Sequence, residues 1–373
     1  MALRYEELGR LNRGHVGGVS AVAFSYLGNY IVTAGVGDCM AYVWRAADQK
    51  LLSTVKSSSA VLAIDWLPQR EDAFVTGTQG GIISTVFIGP NLRTAGFWAH
   101  KYPIEHLTCR ASYLASGAKA EVVIWRRQNA IWQHVTDLRS PPSSSLNEDS
   151  ELLVTSVHWT KSDRHPSLLL VSYMFHGVSL FDTADWSVVR NIPLPGAIAR
   201  SSISPDGSII AISNMVSGFD LYSLTSQAPV KSFTQPVEEL RAVPVIFVHG
   251  GHALLGGSTT GTVHLWNVHN GRVHQKFSLG HRNSVMAISA NYNPAADRFL
   301  IAAGITNGPT DSAPVVIWVA RNIGRRHKVS ATCHFVQIVP LLLVVVSAVS
   351  AWLWYGGLQD YGRSNGDGRG PIQ

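Results

Sequence analysis

The stretch GHVGGVSAVAFSYLGNYIVTAGVGDCMAYVW, residues 14–44, decides the fold. Apolar residues alternate along Val19–Phe24, and a Gly-Asn turn at 28–29 separates this run from a second apolar run. A Gly-Asp pair at 37–38 then precedes a third run, which ends at Trp44. Short apolar runs separated by turn dipeptides predict the strands of an antiparallel meander. One meander cannot bury its apolar face alone, so the pattern predicts further copies along the chain.

Six further copies of this pattern follow. They lie at residues 61–87, 100–125, 153–181, 203–222, 245–271 and 280–318. Each third strand closes on an aromatic residue, and we align these residues as Trp44, Phe87, Trp125, Phe181, Tyr222, Trp266 and Trp318. Their mean separation of about 46 residues is close to the ~40–45 residues of a four-stranded propeller blade. The sequence therefore predicts an all-β ring of seven blades.

The copies resemble the repeats of the WD-repeat β-propeller family. The pairs Gly14-His15 and Gly280-His281 resemble the Gly-His that opens these repeats, and His100 lies at the equivalent place. Residues 261–267, GTVHLWN, resemble the third-strand motif. The resemblance implies a seven-bladed propeller over residues 1–320. The repeat positions that it marks are His15, Asp38, Trp44, His100, Trp125, Asp182, Trp266, His281 and Trp318.

The copies also depart from the family pattern. The family's turn Asp, six residues before the third-strand Trp, occurs here only as Asp38. Lys119, Thr260 and Ser312 stand at that place in three other copies. These departures predict that the family's hydrogen-bond network of His, Ser or Thr, Asp and Trp is incomplete in most blades.

The first residues of the chain are expected to close the ring. After Trp318 the chain becomes basic and supplies no obvious fourth strand for the last blade, whereas residues 3–11 are long enough for one. An open ring would expose unpaired backbone groups at a sheet edge. We therefore expect the N-terminal segment to be the outer strand of the last blade.

No pattern in the chain indicates catalysis or a cofactor. There is no P-loop, HExxH or GxGxxG motif, and the three cysteines lack the spacing of a zinc site. Five histidines between 249 and 274 fall at different ends of one predicted blade, so they do not converge on an ion. We therefore expect no catalytic residue, cofactor, metal or small-molecule substrate, and no enzyme activity.

The charge distribution argues against nucleic acid. The net charge is +6, but residues 1–320 hold 24 basic and 22 acidic residues, a net of +2. Nucleic-acid binding needs a concentrated basic face, which a near-neutral ring does not offer. The basic excess instead lies at Arg321, Arg325, Arg326 and Lys328.

Residues 335–355, FVQIVPLLLVVVSAVSAWLWY, have the character of a membrane span. No Asp, Glu, Lys or Arg occurs from Val329 to Gln359. At ~1.5 Å per residue, a helix from Phe335 to Tyr355 would cover roughly 31 Å, which matches a bilayer core of ~30 Å. This divides the chain into the propeller, a basic linker at 321–334, the span, and a polar tail at 356–373.

The basic linker sets the expected orientation. Positive residues accumulate on the cytoplasmic side of a span, so we expect a single-pass, tail-anchored protein with a cytosolic propeller. The mixed charge of the tail favours the endoplasmic reticulum over the mitochondrial outer membrane. We expect a non-enzymatic, membrane-tethered scaffold that binds other proteins.

Two questions stay open at the level of sequence. A cytosolic propeller followed by one span also resembles the guanine-nucleotide exchange factors of the early secretory pathway, which is the alternative function. Ser140 precedes a proline in residues 140–151, which are predicted to be an exposed loop, and the sequence leaves open whether Ser140 is modified.

Overall fold

Seven four-stranded sheets make up the fold. The computed structural model describes residues 3–143, 147–162, 165–280, 283–306 and 312–322, and 28 strands lie within them. A 3-10 turn at His249–Gly251 is the one helical element of these described residues. Each sheet is one blade, so the predicted all-β, seven-bladed propeller is confirmed.

The strands of the first four blades have the following bounds. Blade 1 contains β2 (Val19–Phe24), β3 (Tyr30–Gly35), β4 (Met40–Arg45) and β5 (Lys50–Lys56). Blade 2 contains β6 (Val61–Trp66), β7 (Ala73–Thr78), β8 (Ile82–Phe87) and β9 (Arg93–Trp98). Blade 3 contains β10 (His106–Arg110), β11 (Tyr113–Ala118), β12 (Glu121–Gln128) and β13 (Ile131–Asp137). Blade 4 contains β14 (Val154–Thr160), β15 (Leu168–Tyr173), β16 (Gly177–Asp182) and β17 (Val188–Ile192).

The last three blades continue in the same way. Blade 5 contains β18 (Arg200–Ile203), β19 (Ile209–Ser213), β20 (Gly218–Ser223) and β21 (Pro229–Thr234). Blade 6 contains β22 (Val245–Val248), β23 (Ala253–Gly257), β24 (Thr262–Asn267) and β25 (Val273–Ser278). Blade 7 contains β26 (Val285–Asn293), β27 (Arg298–Ile305), β28 (Ser312–Asn322) and β1 (Leu3–Val16).

The blades form a closed ring around a central axis. The first strands of successive blades, β2, β6, β10, β14, β18, β22 and β26, contact one another in turn, and β26 contacts β2. The second strand of a blade is the most buried, as in β7 and β15, where every residue is buried. The outer strand β9 is almost entirely exposed. The core therefore lies between neighbouring blades, where apolar side chains of adjacent sheets pack together.

The outer strand of blade 7 comes from the beginning of the chain. The order of this sheet is β1-β28-β27-β26, so its fourth strand is about 300 residues away from its third in sequence. Tyr5 and Leu11 of β1 are buried. Gln275 of blade 6 holds β1 with its side-chain amide, which accepts from the Tyr5 N–H at 3.0 Å and donates to the Tyr5 carbonyl at 2.7 Å.

One aromatic position differs from the sequence alignment. In blade 1, Trp44 of β4 lies opposite Ile31 of β3. Phe74 is the residue of blade 2 that corresponds to Ile31, and Val86 lies opposite it. Val86 is therefore the counterpart of Trp44. Phe87 follows Val86 and lies opposite Ala73. The expected alignment of Phe87 with Trp44 was wrong by one residue, which reverses the face of the strand.

Several predicted features lie outside the described residues. These are His281, the span from Phe335 to Tyr355, the linker residues Arg325, Arg326 and Lys328, and the side chain of Arg321. Within the part of the chain that the structure describes, no helix is long and apolar enough to cross a bilayer. Ser140 is described and is exposed.

Candidate functional site

The connections between strands divide the ring into two faces. Successive connections of an antiparallel meander alternate between the two ends of its strands. The connections between blades and the turns between second and third strands share one end, which we call the entry face. The turns between first and second strands lie at the other end, which we call the exit face.

In blade 1, the repeat residues near the entry face form a hydrogen-bond relay. His15 Nδ1 donates to Asp38 Oδ2 at 2.8 Å, and His15 Nε2 lies 2.9 Å from the Thr33 hydroxyl. The indole N–H of Trp44 donates to the same hydroxyl at 3.1 Å. Burial acts to raise the pKa of Asp38, but the hydrogen bonds from His15 and from the backbone outweigh it and lower the pKa. The relay joins the end of β1 to strands β3 and β4 and to the turn between them.

Blade 3 contains the same relay with a different acid. The His100 ring contacts Ser116 Oγ at 2.7 Å and Glu121 Oε2 at 3.2 Å, and Trp125 donates to Ser116 at 2.9 Å. Lys119 stands where the pattern has its acid, so the sequence suggested an incomplete network here. Glu121, two residues later, supplies the carboxylate from the start of β12. Burial lowers the pKa of His100.

The remaining repeat positions stay in separate blades. Asp182 Oδ2 accepts from His165 Nδ1 at 2.8 Å, and Asp182 Oδ1 accepts from the Ala184 N–H at 2.8 Å. Trp266 packs against Phe219 and Phe233, and Trp318 packs against Phe277. Asp182 therefore contributes to a turn, and Trp266 and Trp318 contribute to packing between blades.

The axial channel opens at the entry face. Inner strands line a cavity of about 290 Å³ along the axis, and a second cavity of about 330 Å³ lies at the entry end. Glu105, His106 and Arg200 line both cavities, so they mark the place where the two cavities meet. None of these three residues was singled out from the sequence.

A positive charge lies at this channel mouth. Arg200 Nη1 donates to His106 Nδ1 at 3.1 Å, so the proton of the neutral imidazole is on Nε2, which donates to the Val154 carbonyl at 3.2 Å. Burial, together with the Arg200 charge, lowers the pKa of His106 well below its usual value. Among the described residues, no carboxylate lies within ion-pair distance of Arg200. The mouth therefore presents a guanidinium that is hydrogen-bonded to one neutral imidazole, and the Glu105 carboxylate is near enough to raise the pKa of Arg200, although burial lowers it overall.

Three large apolar side chains are exposed on the entry face, where the channel opens. Phe175 lies in the turn between β15 and β16 and is 42% exposed, and Val216 in the next blade's turn is 73% exposed. Leu240, in the connection from blade 5 to blade 6, is 80% exposed. Exposed apolar groups beside a polar mouth are typical of protein interaction surfaces.

The described residues include no group of three or more His, Cys, Asp or Glu side chains that could hold a metal ion. The histidines of blade 6 have separate partners. His249 Nε2 is hydrogen-bonded to the Tyr5 hydroxyl at 2.8 Å, and the His264 ring stacks on Trp266.

Comparison with known proteins gives one family match. Residues 6–45 match the family described as WD domain, G-beta repeat. This match and the seven sheets support a WD-repeat propeller. The matched segment begins in β1, the outer strand of blade 7, and ends with β4 of blade 1, so the sequence repeat overlaps two blades. No curated protein matches the chain.

Proposed function

We propose that this WD-repeat propeller is a non-enzymatic scaffold that binds other proteins through its entry face. One observation carries the proposal: three apolar side chains are exposed on the face where the channel opens, and among the described residues no carboxylate lies within ion-pair distance of Arg200 at the mouth. Protein interfaces bury such apolar groups around a few central polar or arginine anchors. The scaffold function is consistent with the WD-repeat match.

Surface variants of the full chain test this proposal. Val216→Ser combined with Leu240→Ser removes apolar area from the entry face, and Val230→Ser on the outer strand β21 is the matched control, since Val230 is also exposed. Proximity labelling in the native cell should lose a group of labelled proteins with the double variant and keep that group with the control. Identical sets from the double variant and the unaltered chain would contradict the proposal.

The membrane tether is a second part of the proposal. The apolar segment 335–355 and the basic residues before it support a single span with a cytosolic propeller, at the endoplasmic reticulum rather than the mitochondrial outer membrane. A tagged full chain should resist carbonate extraction, and a chain lacking 335–355 should not. The propeller should also be open to protease in intact microsomes. Recovery of the full chain in the soluble fraction would refute the tether.

The exchange-factor alternative requires an activity that can be measured directly. The blade 1 turn at the exit face is tight, because Ser25 N–H donates to the Tyr30 carbonyl and Gly28 N–H donates to the Ser25 carbonyl, both at 2.9 Å. Little chain protrudes there to distort a GTPase. The full chain in detergent should leave nucleotide release from early-secretory GTPases at its intrinsic rate. A dose-dependent acceleration would establish the alternative instead.

A further inference from the structure

One core hydroxyl in blade 2 lacks the partners that its equivalents have. Thr33, Thr76 and Ser116 occupy the same position of the second strand in blades 1, 2 and 3, since they lie opposite Tyr42, Ser84 and Val123. The other four blades have Val171, Ile212, Gly256 and Ala303 at this position. A hydroxyl is thus present in three blades only.

In blades 1 and 3 this hydroxyl bonds to two rings. Thr33 contacts the His15 imidazole and the Trp44 indole, and Ser116 contacts the equivalent rings of blade 3. In blade 2 neither ring exists, because residues 57–59 before β6 are three serines and Val86 stands at the Trp position. Thr76 is 4% exposed, and its side-chain hydroxyl has no hydrogen bond to any described residue.

A cavity of about 340 Å³ lies beside Thr76, between the outer parts of blades 1 and 2. Its size falls in the roughly 300–1,000 Å³ range of small-ligand pockets. Ser57, Ser58, Ser84 and Gly96 line it, and Trp98 at its edge is 69% exposed. Ser57 and Ser84 stand where blade 1 has His15 and Tyr42, whose rings stack on each other, so these small side chains leave space open beside Thr76.

The lining selects the chemistry of an occupant. Val55, Val61 and Ile82 supply apolar walls, and Thr76 supplies a buried hydroxyl that can accept a hydrogen bond. No carboxylate lines the cavity, and Lys56 does, so a cationic ring would be disfavoured. The exposed Trp98 ring offers a surface for stacking. These features fit a neutral, planar, apolar ring with one N–H donor.

We propose that the slot between blades 1 and 2 binds an indole ring, whose N–H donates to the Thr76 hydroxyl as the Trp44 and Trp125 rings do to Thr33 and Ser116. The ring belongs either to a free small molecule or to a tryptophan side chain of a partner. The slot reaches the entry face at Ser57 and Ser58, in the connection between blades 1 and 2, but it does not include Phe175, Val216 or Leu240. This inference can therefore fail without the proposed scaffold function failing.

The test uses the full chain in detergent, with indole and with a short tryptophan-containing peptide as probes. Ligand-observed NMR should detect indole binding to the unaltered chain. Thr76→Val should weaken it by about five- to tenfold, the effect of losing one neutral hydrogen bond. Ser84→Tyr, which introduces the residue that blade 1 has at this position, should abolish indole binding by filling the slot.

The two probes distinguish the source of the ring. Tighter binding of the peptide than of indole would assign the ring to a partner protein, and equal or weaker binding would assign it to a small molecule.

Thermal unfolding gives a second readout that does not need a ligand. Thr76→Val should leave the melting temperature unchanged because its hydroxyl has no partner among the described residues, whereas Thr33→Val should lower it by removing two hydrogen bonds. Three results would overturn the proposal: no indole binding at millimolar concentration, binding unaffected by both blade 2 variants, or a Thr76→Val destabilisation equal to that of Thr33→Val.

Discussion

The side-chain hydroxyls of Thr33 and Ser116 each form hydrogen bonds to two other segments of the chain. Each one bonds to a tryptophan from the third strand and to a histidine that precedes the blade, which is at the end of β1 for His15 and in the connection from blade 2 for His100. The Gly-His pair and the aspartate spacing made the blade 1 relay visible in the sequence. Glu121 was missed because it lies beyond the expected turn position, inside β12, and only the folded strand brings it to His100.

Removing the blade 3 hydroxyl tests the energetic role of a relay. Ser116→Ala leaves the buried N–H of Trp125 and one nitrogen of His100 without their partner. We expect a loss of about 2 kcal/mol in the free energy of unfolding, since an unsatisfied buried donor costs about 1–3 kcal/mol. Urea denaturation measures it. The control is Ser84→Ala, which removes a hydroxyl from the third strand of blade 2 and should change stability little. Equal losses of stability in the two variants would contradict the relay's role.

Buried titratable groups predict how stability responds to pH. Burial lowers the pKa of His158 and of His264 to about 4, and it also lowers that of His106. In the folded state these rings stay neutral while the unfolded chain binds protons below pH ~6.5, so each acts to reduce stability as pH falls from about 6.5 to 4. A histidine that is neutral in the folded state and protonated in the unfolded state lowers the free energy of unfolding by about 1.4 kcal/mol for each pH unit of acidification.

Asp65 acts in the opposite direction. Burial raises its pKa to about 7, although it accepts hydrogen bonds from the backbone N–H of Cys109 and of Trp66. The folded state therefore binds a proton between pH 7 and ~4 that the unfolded chain does not, which adds stability as pH falls. Six histidines have a lowered pKa against one aspartate with a raised pKa, so the urea midpoint should fall from pH 7 to pH 5. Asp65→Asn should make this fall steeper, and a shallower fall in the variant would refute the assignment.

At the scale of elements, the closing strand β1 was predictable and its contacts were not. The sequence before Gly14 is long enough for a strand, and a ring without it would have an open edge. The bonds of Gln275 to Tyr5 join residues 270 positions apart, which no local pattern reveals. The error at Phe87 has the same origin, since two adjacent apolar residues end β8 and only the pairing with β7 decides which faces the core.

The burial of Leu11 predicts that β1 contributes to stability. Leu11→Ala should lower the free energy of unfolding by about 3 kcal/mol, because deleting a buried leucine side chain costs ~2–5 kcal/mol. Arg4→Ala, at an exposed position of the same strand, is the matched control and should have little effect. A Leu11→Ala variant as stable as the control would show that the ring does not depend on this strand.

At the scale of the whole molecule, seven-fold repetition made the architecture predictable. The channel mouth was not, because His106 and Arg200 lie 94 positions apart and meet only when successive blades curve around the axis. The exposed Val216 and Leu240 likewise look in the sequence like ordinary strand-flanking residues. A propeller's binding surface is composed of loops from several blades, so the ring must be assembled before the surface exists.

The most direct test of the entry face as the binding surface is hydrogen exchange on the full chain with and without a captured partner protein. The account predicts that a bound partner slows exchange at residues 174–176, 214–217 and 238–242, which lie on the entry face, and leaves the exit-face turn at 26–29 unchanged. Protection confined to that exit-face turn or to the outer strands, with the entry-face segments exchanging as in the free chain, would contradict it.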